Sequence, residues 1–155
     1  MSFRITALAT EPFQHLFDAS VEALAAQGVV RRIADTKPGF PCRVSLRDAE
    51  IGEPVLLLNY EHQPANSPYR ARHAIYVREH AQRAHPRVDE IPELLASRLL
   101  SVRAFDAEGM LVAADVVDGG DLRALIGQML APNNVAYLHL HNAKPGCYAA
   151  RVDRA

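Results

Sequence analysis

Two strand-like runs joined by one tight connection constrain this chain more than any other feature. Leu99–Phe105 and residues 110–117 have strand composition, and Asp106-Ala107-Glu108-Gly109 between them ends in glycine. That spacing predicts an antiparallel hairpin, because glycine reaches the positive φ that a short connection needs. Other strand-like runs occupy residues 3–8, 29–34, 55–59, 74–77, 135–141 and 147–152. Residues 55–59 open on Val55-Leu56-Leu57-Leu58, a run short and apolar enough to read as a central strand buried on both faces. Helices are fewer. Thr10 before Glu11-Pro12 reads as an N-cap, Ser20 reads as the cap of a short helix, and Gly28 is placed to end it. Pro92 opens another short helix. Asp118 reads as the cap of the clearest one, where Leu122, Leu125, Ile126, Met129 and Leu130 form one apolar stripe before Pro132. Residues 35–53 and 60–72 read as loops. Strands outnumber helices, so the fold class is α+β, a single domain over residues 1–155 with a mostly antiparallel or mixed sheet and helices packed on one face. The central strands are expected at residues 55–59 and 99–117.

Composition narrows the function classes. The 155 residues include 17 basic and 18 acidic ones, a formal charge of −1. A dedicated nucleic-acid binder carries a basic surplus, so nucleic acid is not an expected partner. No apolar run approaches the ~18 residues of a membrane span, and the N-terminus lacks the apolar core of a secretory signal. Two distant cysteines, Cys42 and Cys147, make no disulfide framework, which points to a cytoplasmic protein with reduced thiols.

Four groups of residues could carry chemistry. In residues 135–141 the alternation of a strand puts Tyr137, His139 and His141 on one face. At about 3.3 Å per residue the two imidazoles lie roughly 7 Å apart, within reach of one metal ion or one anionic ligand. Alternatively they belong to a strand that merely tolerates histidine. The only two lysines, Lys37 and Lys144, both stand in Lys-Pro-Gly, and each is followed closely by a cysteine, Cys42 with Arg43 in one case and Cys147 in the other. A cation beside a thiol lowers its pKa and raises its reactivity, although a buried cysteine is an ordinary core residue. Polar clusters after the apolar run supply His62 and His73, with Arg70 and Arg72 between them. Finally, Ser101, Arg103 and Phe105 share a strand face, and Arg103 is expected to pair with Asp115 across the hairpin. Facing a site instead, it would clamp an anion.

Long motifs add a resemblance. Lys37-Pro38-Gly39-Phe40-Pro41-Cys42-Arg43-Val44-Ser45-Leu46, Leu57-Leu58-Asn59-Tyr60-Glu61-His62, Ser67-Pro68-Tyr69-Arg70-Ala71-Arg72-His73-Ala74-Ile75, Leu99-Leu100-Ser101-Val102-Arg103-Ala104-Phe105-Asp106 and the segment from His139 through Asn142, Lys144 and Cys147 to Val152 span nearly the whole chain. Together they resemble an uncharacterised bacterial family, the domain of unknown function numbered twelve-oh-three. The resemblance implies a stand-alone single-domain bacterial protein and brings no activity or site residues with it.

Three functions follow as expectations. The first is a small-molecule enzyme or binding protein for a polar or anionic ligand. Cys42 would be its nucleophile, His62 and His139 its acid–base groups, and Arg43, His73, His141, Asn142, Lys144 and Cys147 its ligand-binding residues. The second is a non-enzymatic module, a homodimer joined through a sheet edge or a helix face. The third is a transition-metal site, zinc held by His139, His141 and one of His62 or His73. The residues name no cofactor and no metal beyond that.

Overall fold

The computed structural model describes all residues from Met1 to Ala155. Eight strands and three short α-helices make an α+β protein with antiparallel sheets. The strands are β1 (Phe3–Thr6), β2 (Val30–Ile33), β3 (Pro54–Gln63), β4 (Ala71–Arg78), β5 (Leu99–Phe105), β6 (Leu111–Asp118), β7 (Tyr137–Asn142) and β8 (Tyr148–Arg154). The helices are α1 (Val21–Ala25), α2 (Glu93–Ala96) and α3 (Leu122–Leu130). The strands form two sheets where the sequence suggested one. Five of them run in the order β1-β8-β7-β5-β6, and three in the order β2-β3-β4. The chain divides into two compact units.

The first unit comprises Met1–Thr6, Glu61–His73 and His85–Ala155. Its β5–β6 hairpin forms where the sequence placed it. Asp106 accepts the backbone N–H groups of Glu108 and Met110 through its carboxylate, and Gly109 takes a φ of 78°. An aspartate that bonds to the backbone two residues on is what starts such a turn. The central strand of this sheet is β7, buried along its whole length, whereas β6 is an edge. On one face of the sheet, Leu100, Val102, Ala104, Leu138 and Leu140 are fully buried. Helix α3 packs against β5, β6 and β7 and buries Leu122, Ile126, Met129 and Leu130, the expected stripe. Its C-terminal end is held by Arg154, which donates to the carbonyls of Leu130, Pro132 and Val135. A cation at that end complements the helix dipole. Asp118 does not cap α3 as expected: a 3-10 turn over Gly119–Asp121 intervenes.

The second unit comprises Ala7–Tyr60 and Ala74–Ala84. Here Val55, Leu56 and Leu58 of β3 are buried, as an apolar run in a central strand requires. Leu56 and Leu58 join Phe13, Leu16, Leu24, Val44, Ile75 and Val77 in one apolar cluster. Ser20 caps α1 by accepting the N–H of Ala23 at 3.1 Å, and Gly28 takes a φ of 70°. Thr10 caps nothing. Its hydroxyl donates to the Ala81 carbonyl, and residues 11–16 wind as a 3-10 helix. Strand β3 continues through Gln63, four residues into the stretch read as loop. No helix is long and apolar enough to cross a membrane.

Candidate functional site

Antiparallel register builds the candidate site within the first unit. Arg103 of β5 lies opposite His139 of β7, and His139 lies opposite Arg151 of β8. One step along, Ser101 faces His141, and His141 faces Tyr148. Residues directly opposite share a sheet face. These six side chains therefore stand on the face turned away from α3. The β3 residue His62 joins them. Its ring lies 5.0 Å from His141, 6.0 Å from His139 and 5.2 Å from Tyr148 between centroids, nearly parallel to the tyrosine. Phe105 and Tyr137 stack beside His139, each ring centred 5.1 Å from the imidazole. Gln63 bonds to the Tyr137 hydroxyl at 2.9 Å, fixing the start of the segment that carries His62.

The electrostatics follow from burial. His139 is 3% exposed and His141 1%. Burial pushes both imidazoles down to about 3, and neighbouring groups, Arg103 and the other imidazoles among them, push the same way. Both are therefore neutral at pH 7. His141 donates its Nδ1 hydrogen to the Gly146 carbonyl at 2.8 Å, since a carbonyl oxygen only accepts. That bond leaves its Nε2 as an acceptor. His139 Nδ1 is buried with no hydrogen-bond partner in the protein. Burial also lowers the Arg103 guanidinium. Its hydrogen bond runs from Nε to the Ser101 hydroxyl at 3.3 Å, and no carboxylate pairs with it. Arg151, by contrast, is paired with Asp153 at 2.7 Å and lies over the Tyr137 ring.

The expected Arg103–Asp115 pair does not form. Register places Arg103 opposite Ala114 and Asp115 opposite Val102, so the two side chains point to opposite faces. Asp115 instead accepts the N–H of Val116. Alternation separates other expected site residues in the same way. Asn142 lies opposite Leu100, on the face of α3, and its amide contacts the Cys147 sulfur at 3.4 Å. Lys144 is exposed in the turn before Cys147. His62, His139 and His141 are thus brought together, with His73 close enough to bear on the charge of His141, while Asn142, Lys144 and Cys147 are not part of the group.

Cys42 and Arg43 belong to the second unit. Cys42 is fully buried within the apolar cluster, and its sulfur accepts the N–H groups of Ser45 and Arg78. Arg43 is 2% exposed and donates to the Pro41 carbonyl at 2.5 Å. The thiol expected as a nucleophile beside a cation is thus a core-packing group of the second unit, with no exposed surface. The neighbouring Lys37 is engaged by Glu50. No group of three or more His, Cys, Asp or Glu side chains is arranged to hold a metal ion.

Sequence reasoning undervalued Arg103 and overlooked Tyr148, Gln63 and Arg151. The alternation in β5 already put Ser101, Arg103 and Phe105 on one face. What it could not supply was the neighbour of that face.

An α+β protein with two antiparallel sheets, one bearing buried imidazoles beside a half-buried guanidinium, is the class that fold and geometry define. The chain belongs to the family described as protein of unknown function (DUF1203), whose model matches residues 39–154. Neither the curated proteins nor the solved structures compared with it gave a match.

Proposed function

We propose that this chain binds a small anionic ligand on the polar face of its five-stranded sheet. Arg103 provides the charge, and Ser101, His139 and His141 provide hydrogen-bonding groups around it. One observation carries the reading: Arg103 is half-buried among imidazole and aromatic rings with no carboxylate to neutralise it. A guanidinium withdrawn from water and left unpaired is costly, and a bound anion removes that cost. The unpartnered Nδ1 of His139 in the same row adds support, because buried polar atoms are nearly always satisfied. The two free cysteines fit a cytoplasmic, reducing compartment.

Thermal unfolding with added inorganic phosphate, sulfate or acetate tests the proposal. A ligand that binds only the folded state raises Tm with concentration. We expect at least one of these anions to do so, and Arg103→Gln to abolish the response while folding normally. If no anion raises Tm, or if the response survives Arg103→Gln, the reading fails.

A further inference from the structure

We propose that the site takes a doubly charged anion together with one proton from solvent, and that His141 receives the proton. The inference rests on the anion site proposed above and specifies the charge class of its ligand.

Five charged or titratable groups face His141. Strand β5 contributes Arg103, and β7 contributes His139. Strand β3 contributes His62, β4 contributes His73, and β8 contributes Tyr148. None of these is a carboxylate. Acids on the flanking strands are already engaged, Asp153 by Arg151 and Glu61 by Arg70 and Arg72. The face therefore holds one fixed unpaired cation, Arg103, beside His139 and His141, which burial and neighbouring positive charge keep neutral. A single negative charge is matched by Arg103 alone. A second negative charge has no fixed partner, and the cluster can supply one only by protonating an imidazole.

His141 is better prepared for that proton than His139. Its Nδ1 hydrogen already rests on the Gly146 carbonyl, an acceptor that favours the imidazolium. The proton enters at Nε2, turning an acceptor into a donor toward the anion. No other bond is made or broken. The strand presenting His141 is buried throughout, so the ring is held rigidly for the exchange.

Sulfate is the probe, because it keeps two charges throughout the working pH range; nitrate is the singly charged control. Calorimetric titration in two buffers of different ionisation enthalpy counts protons without any variant. At about pH 6 we expect close to one proton taken up for each sulfate bound and none with nitrate. One-proton coupling makes sulfate affinity rise by up to about tenfold for each pH unit lowered. His141→Gln should bind sulfate more weakly, through Arg103 and the remaining groups, and lose both the uptake and the pH dependence. Sulfate binding with no proton uptake overturns the inference and leaves the anion site standing, whereas failure of every anion to bind removes both. Uptake that persists in folded His141→Gln assigns the proton to another group and also overturns it.

Discussion

The two faces of the five-stranded sheet are equally short of water at β7 and opposite in chemistry. Leu138 and Leu140 point toward α3, while His139 and His141, their immediate neighbours in sequence, point the other way, and all four are buried. On the α3 face burial is rewarded, since each leucine leaves water for apolar contact. On the other face burial costs free energy, since imidazoles and a guanidinium are dehydrated without carboxylate partners. The sheet thus gives up stability on one side and recovers it on the other.

That contrast can be broken most forcefully from the apolar side. Leu140→Ala removes a fully buried side chain beneath α3 and should lower unfolding stability by about 2–5 kcal/mol in a denaturant titration. The same substitution should leave the anion response of the remaining folded protein intact, since Leu140 and Arg103 face opposite sides.

Acid sharpens the comparison from the polar side. His139 and His141 are held at about 3 when folded and return to about 6.5 when unfolded, so the unfolded chain binds more protons between those values. Their contribution is complete above pH 6.5 and is lost as pH falls toward 3. Stability should therefore drop with acid at up to about 1.4 kcal/mol per pH unit for each imidazole. Unfolding midpoints across pH 4–7 measure this, and His139→Gln should flatten the slope. A slope unaffected by that change would mean that other groups set the acid limit.

The smallest effect concerns how the segment bearing His62 is docked. Gly109, in the β5–β6 turn, has a φ of 78°, and a Cβ there would lie 2.3 Å from the Cβ of Ala65. Ser67 donates to the Gly109 carbonyl at 2.9 Å in the same contact. Gly109→Ala should cost about 1–2 kcal/mol from the left-handed backbone, plus whatever is lost as residues 61–73 move. Hydrogen exchange should increase in that segment while the amides of β7 stay protected.

Local signals were legible where short-range physics decides structure. The β5–β6 hairpin, the Ser20 cap, the left-handed Gly28 and the stripe of α3 depend on residues within a few positions of one another. Where the local preference competed with a longer contact, the reading slipped. Thr10 bonds to distant Ala81 instead of capping, and one sheet became two because the partner of each strand is a long-range choice.

The same division holds for the site. Period-two alternation in the sequence by itself determined that His139 and His141 share a face, and that Ser101, Arg103 and Phe105 share another. Only the tertiary structure decided that these two faces are one face, because antiparallel register sets Arg103 against His139 and Ser101 against His141. It also decided that His62 joins them, that Asn142 and Asp115 face the other way, and that Cys42 packs a core. Alternation is a property of one strand's covalent geometry. Which side is buried, and beside which charge, depends on hydrogen-bonded pairing between residues tens of positions apart, where a shift of one residue reverses every assignment.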